Sequence, residues 1–210
     1  MALLPPFAGL ALERIEVPAS AAEFAAAAAD LAAHRFIGFD TESKPIFRKG
    51  EISDGPHVVQ LATLDKAYIF QLHRAGCRDH LARLLEGTSV VKVGFGLESD
   101  RSQLPRTLGI RPRGVLDLGA VFRGEGYRKS IGVRTAVAIV FKQRFLKPKS
   151  VTTSDWAQPI LRSNQLIYAA NDAYAALRVL HGLNKPEAEL PISGLPSRQR
   201  QPVSPGPGQD

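Results

Sequence analysis

Cysteine is almost missing from this 210-residue chain, which holds a single one, Cys77. That count excludes an intramolecular disulfide framework and a four-thiolate zinc site. Long apolar runs are missing as well. None approaches the ~18 residues needed to cross a bilayer, so no membrane span is expected. No basic residue precedes the first apolar stretch, which Pro5 and Pro6 interrupt. A secretory leader is therefore not expected, and a reducing, cytoplasmic setting is. Acidic residues are scarce in one block only. Residues 101–149 hold 12 basic and 2 acidic side chains, whereas residues 1–100 hold 10 and 13, and residues 150–210 hold 5 of each. The formal net charge of +7 thus resides entirely in the middle of the chain. An anionic partner would account for it, and so would an ordinary solvated face.

What is present is globular: 44% apolar and 22% charged residues, enough for one domain of ordinary size. The pattern alternates strands and helices. Ser20 and Glu23 form a capping box before an alanine-rich helix reaching about residue 33. A strand is expected at 36–40, two more at 58–62 and 67–71 across a hairpin-length link, a fourth at 90–93 and a fifth near Val115 and Leu116. Leu81, Leu84 and Leu85 mark one helix, residues 98–108 another, and residues 163–181 a last one, with Ser163 read as its N-cap and Gly182 just past its end. This order predicts an α/β domain with a mixed central β-sheet and helices on both faces. Residues 1–18 read as an N-terminal extension, 19–184 as the domain, and 185–210, rich in Pro, Ser and Gly, as a flexible tail.

Chemistry first surfaces at Asp40-Thr41-Glu42. Side chains at i and i+2 of a strand project to one face, so two acids end a hydrophobic strand together. Repulsion and burial both oppose this arrangement, and a divalent cation would relieve both. Asp100 follows the fourth strand, after Gly94-x-Gly96; the third glycine of a dinucleotide fingerprint is replaced by Ser99, so that reading is weak. Tyr168 and Asp172, at i and i+4, share a face of the last helix among small residues.

The set of Asp40, Glu42, Asp100, Tyr168 and Asp172 resembles the DEDD superfamily of 3′–5′ exonucleases, in its YxxxD (DEDDy) variant. In the histidine variant, a histidine stands five residues before the last aspartate, a position held here by Ile167. Val59-Gln60-Leu61-Ala62 and Thr153-Ser154-Asp155-Trp156 are similar to flanking segments of ribonuclease D and Werner-type exonuclease domains. The resemblance covers about residues 35–182 and implies a ribonuclease H-like fold. It also implies two divalent ions, Mg2+ or Mn2+, held by Asp40, Glu42, Asp100 and Asp172, with Tyr168 orienting the attacking water. A metal-dependent 3′–5′ exonuclease acting on single-stranded DNA or RNA ends and releasing nucleoside 5′-monophosphates is the activity implied. The alternative is a catalytically inactive nucleic-acid-binding module of the same fold. Arg101, Arg128, Lys129, Lys147 and Lys149 are candidates to meet the phosphates; Thr41 and Leu61 are expected, by analogy, to line the terminal nucleotide. Trp156 reads either as a base-stacking platform or as core. By that resemblance the chain is expected to correspond to the catalytic module of ribonuclease D, without the helical domains that follow it there, and the residues do not fix an oligomeric state.

Overall fold

The computed structural model describes residues 4–46, 50 and 53–195. Its elements, in chain order, are β1 (Ile15–Glu16), α1 (Ala21–Ala32), β2 (Phe36–Glu42), β3 (Val58–Ala62), β4 (Ala67–Gln71), α2 (Cys77–Glu86), β5 (Val91–Gly94), α3 (Glu98–Leu108), β6 (Val115–Asp117), α4 (Leu118–Gly124), α5 (Val133–Phe141), α6 (Lys149–Thr152) and α7 (Ser163–Leu183). The six strands form one sheet in the order β1-β4-β3-β2-β5-β6. β2, β3 and β4 make an antiparallel meander, while β5 and β6 run parallel to β2, and β1 parallel to β4. Parallel neighbours need crossover helices, which is why helices cover both faces. No helix of the described residues is long and apolar enough to cross a membrane.

Alternation along β2 divides the core. Ile37 and Phe39 point into one apolar layer with Phe24 of α1, Leu81 of α2 and Leu104 of α3. The opposite face carries α7, whose small residues let it lie close to the sheet. Gly38 makes that approach feasible, since a Cβ there would stand 2.0 Å from the Ala173 carbonyl oxygen. Residues 38, 40 and 42 share this face, so the acids of β2 emerge beside α7.

Several boundaries differ from the sequence expectation for local reasons. β2 runs on to Glu42 because β3 pairs with it through Glu42↔Val58. The N-cap of α7 is Arg162, with Gln165 closing the box on its backbone, so Ser163 is already helical. Its C-cap is Asn184 in the left-handed conformation (φ 49°), not Gly182. Gly182 lies inside the helix, where a Cβ would meet Val140 at 2.5 Å and Phe141 at 2.8 Å, so its smallness serves the α5–α7 contact.

The first residues are woven into the domain. Phe7 N–H donates to the Arg144 carbonyl (3.0 Å) and Arg144 N–H to that of Pro5 (2.7 Å). Leu10 exchanges backbone hydrogen bonds with the Asn171 side chain of α7, at 2.7 and 3.2 Å. At the other end, Leu190 is buried and Ser193 pairs with Val115. The rest of the expected tail, residues 196–210, lies outside the described residues.

Candidate active site

Two elements converge where β2 ends. Asp40 and Glu42 come from β2 and Asp172 from α7, with one carboxylate oxygen of each within 4.8 Å of the others. Asp172 is 4% exposed, and its Oδ1 has no hydrogen-bond partner among the described residues. Three acids this close, one with an orphaned buried oxygen, form a donor set of hard oxygens that fits a divalent cation.

Asp100 reaches the same corner from the first turn of α3. It stands on the far side of β2, where the Thr41 hydroxyl donates to its Oδ1 and the Ser99 hydroxyl lies 3.3 Å from its Oδ2. Thr41, expected at the terminal nucleotide, therefore spends its hydroxyl on Asp100, while its N–H donates to Asp40 Oδ1 at 2.9 Å. The turn before α3 explains why Asp100 arrives there. Gly96 adopts φ +67°, and Asp117 at the end of β6 accepts the Leu97 N–H at 3.0 Å. The Gly94-x-Gly96 pair thus serves this turn.

The charges are costly. Burial, then Asp172, Asp100 and Glu42, push the Asp40 carboxyl well above its usual range, with Lys147 opposing. Burial and the repulsion of Asp172 push Glu42 up to about 8. Burial raises Asp172 too, against the pull of Lys147, and raises Asp100 against its hydroxyl partners. Among the described residues one cation pairs with the trio: Lys147 Nζ lies 2.8 Å from Asp172 Oδ2 and 5.2 Å from the centre of the Tyr168 ring.

Tyr168, one turn before Asp172, is nearly buried. Its hydroxyl is 2.9 Å from that of Thr152 on α6, and burial followed by Asp172 pushes its pKa up to about 12. Trp156 packs against the Tyr168 ring at 5.8 Å, is 1% exposed, and donates Nε1–H to the Thr152 carbonyl. It is packed as core in this structure. Leu61 is core as well: it pairs with Phe39 across the β2–β3 register and faces the layer away from α7. An antiparallel partner of Phe39 shares its face, so it cannot line a site on the other side.

A cleft of about 390 Å³ opens beside the acids, lined by Asp40, Asp172, Lys147, Phe95, Arg134 and the backbone that starts α5. Of the expected cations, Lys147 lines it; Arg101, Arg128, Lys129 and Lys149 are exposed but do not line this cleft. Arg134, Thr152 and Asp117 were not singled out by sequence. Arg134 was only one of twelve cations in its block, and nothing in the local pattern marks Thr152 or Asp117. Gln60 is a different omission. It sits opposite Asp40, fully buried, with neither side-chain polar atom partnered among the described residues. A glutamine amid an apolar strand, 58–62, was the available signal.

Known proteins resemble this chain in sequence and shape. The family described as 3′–5′ exonuclease matches residues 15–186. A 3′–5′ exonuclease of Arabidopsis thaliana is 32% identical over 144 residues, 67% of this chain and 50% of the relative. The bifunctional 3′–5′ exonuclease/ATP-dependent helicase WRN of Mus musculus is 29% identical over 170 residues, 74% of this chain and 12% of the relative. Trypanosoma brucei RNase D, solved in complex with RNA U12, superposes with a TM-score of 0.73 at 20% identity, over 86% of this chain and 65% of that one, a likeness of fold. The architecture is ribonuclease H-like, as the sequence resemblance implied. This chain spans half the length of the plant relative and far less of the mouse one.

Proposed function

The chain belongs to the 3′–5′ exonuclease family, and on that premise we propose that it hydrolyses phosphodiester bonds at nucleic-acid 3′ ends, releasing nucleoside 5′-monophosphates. The observation that carries this reading is the trio of Asp40, Glu42 and Asp172, the first two half-buried and the last buried, with oxygens within 4.8 Å of one another. Folding gains nothing from such a cluster unless a cation is to be held there.

Asp40, Glu42 and Asp172 would hold the divalent metal, with Asp100 supporting it from the other side of β2. All the donors are carboxylate oxygens, a set that favours Mg2+ or Mn2+ over zinc. A pair of such ions would supply activation of water and stabilisation of the attacking and leaving oxygens. The chain's own residues do the rest. Tyr168, with its pKa raised to about 12, keeps its proton at neutral pH, so it orients water through its hydroxyl and does not act as a base. Thr152 fixes the direction of that hydroxyl. Lys147 and Arg134, lining the cleft beside the acids, offer positive charge to the strand's phosphates. Thr41 and Ser99 hold the Asp100 carboxylate in place.

The test is degradation of 5′-labelled single strands, RNA and DNA of matched sequence, with Mg2+ or Mn2+. Progressive shortening from the 3′ end, abolished by Asp40→Ala, is the expected result. A protein that binds these strands and shortens none of them would be the inactive module instead. The two arms also decide between RNA and DNA, a choice that rests on contacts to the 2′-hydroxyl.

A further inference from the structure

Lys147 occupies an unusual position for a phosphate-binding residue. Its ammonium is drawn in against Asp172 Oδ2 at 2.8 Å, with the side chain about a quarter exposed and Asp172 almost fully buried. It also lies 5.2 Å from the centre of the Tyr168 ring, on the helix that carries Asp172. Among the described residues no other basic side chain makes an ion pair with Asp40, Glu42 or Asp172. The ammonium therefore stands where a cation is needed, touching an oxygen of the donor trio itself.

We propose that Lys147 is a resident counter-cation of the acid trio, which a divalent ion must displace from Asp172 and which the displacement frees to meet phosphate in the adjoining cleft. This rests on the metal-site reading above. A divalent ion taking the unpartnered Oδ1 of Asp172 would stand across one carboxylate from the ammonium on Oδ2, and beside a group only 4% exposed the two like charges would repel strongly. The ammonium is the one that yields. The backbone just before Lys147 is not free to do so: Arg144 is pinned between Pro5 and Phe7, and Phe145 is buried against Phe7. The four-carbon stem is free, and its rotamers carry the ammonium between Asp172 and the cleft that both residues line. The lysine would thus neutralise the trio before loading, lower the apparent affinity for metal, and couple loading to strand binding. Binding linked in this way is reciprocal, so the strand's phosphates, by holding the ammonium, should tighten metal binding in turn.

The test is calorimetric titration of the full chain with Mn2+, without nucleic acid, comparing wild type, Lys147→Met and Asp40→Asn. Lys147→Met should bind Mn2+ more tightly, by a factor of about 5 to 100, the usual range of coupling between sites. Equal or weaker binding in Lys147→Met overturns the proposal while leaving the metal site intact. Wild-type heats no different from those of Asp40→Asn would overturn the metal site and this proposal together. A second measurement needs only folded wild-type protein. The Lys147 side-chain ammonium resonance, assigned by its loss in Lys147→Arg, should shift on addition of diamagnetic Mg2+ and shift again when a non-hydrolysable single strand is added. A resonance that Mg2+ leaves in place overturns the proposal even if the Met variant fails to fold.

Discussion

Metal-free protein should lose stability as pH rises from 5 to 8, against the usual trend for acid-rich sites, and Glu42 should be a principal cause. In the folded chain, burial and Asp172 hold the Glu42 proton until about pH 8, whereas the unfolded chain releases it near the ordinary 4.5. Over that window the native state binds more protons than the unfolded one, so unfolding free energy falls as pH increases. At about 1.4 kcal/mol per pH unit, the window from 4.5 to about 8 sets a ceiling of about 5 kcal/mol for this group. Lys147 and residual water screen the cluster, so roughly half of that, about 2–3 kcal/mol, is the working figure. In a domain of this size it corresponds to a fall in Tm of about 5–10 °C. Scanning calorimetry in chelator across this pH range would read it directly. His57 works in the opposite sense: burial lowers its pKa, so its own contribution rises with pH through the ordinary 6.5. Glu42→Gln separates the two, since it should remove the Glu42 share of the decline while leaving the histidine contribution and that of the raised Asp40, Asp100 and Asp172. Saturating Mn2+ should reverse the decline, adding about 2.7 kcal/mol at a hundred times Kd. Stability that stays level or rises from pH 5 to 8 without metal, with the same profile in Glu42→Gln, would refute the electrostatic account of the trio.

Tyr168→Phe should lower kcat by about 10- to 100-fold with little change in KM, measured on single strands, because the hydroxyl acts on water and not on strand binding. It should cost only about 1 kcal/mol of stability, as Thr152 retains the Pro148 carbonyl as a partner. Gly38→Ala places a methyl 2.0 Å from the Ala173 carbonyl oxygen, so denaturant melts should show a loss of about 3 kcal/mol or more, with activity falling as α7 is pushed off β2. Gln60→Leu removes two buried polar atoms that lack partners, so the same melts should show it as stable as wild type or slightly more so.

Residues whose partners are near in sequence, or whose spacing alone sets their direction, were legible. The capping box at Ser20 and Glu23, the β3–β4 hairpin and the extent of α3 follow from local pattern and appear as expected. So does the pairing of Asp40 with Glu42, since a strand forces both onto one face, and of Tyr168 with Asp172, one turn apart on α7. Other features were hidden because they depend on the register between distant strands. Leu61 was placed at the substrate by analogy, yet its face is decided by its pairing with Phe39. Trp156 could be assigned only once α7 was known to lay Tyr168 against it. The contribution of residues 5–10 was invisible for the same reason, being made through single backbone pairings with Arg144 and Asn171, far along the chain.

The basic block gains a narrower meaning from this geometry. Twelve cations over residues 101–149 suggest a broad phosphate track, but charge counted along a sequence has no direction. Arg113 turns to the Gly194 carbonyl and Lys142 to that of Ile139, near the end of its own helix, each satisfying a backbone acceptor distant from the acids. Two of the twelve, Arg134 and Lys147, line the cleft beside Asp40 and Asp172. Only Lys147 touches the trio, and it does so from a segment braced by Pro5 and Phe7, residues that precede the span matched by the family. On the proposed reading, the position of one ammonium, more than the excess of positive charge, would couple the acids to the strand. A surface of scattered cations would raise affinity for any polyanion and lose it steeply with salt. A single lysine held at a buried carboxylate is screened far less, and its effect should persist at ionic strengths that silence the rest.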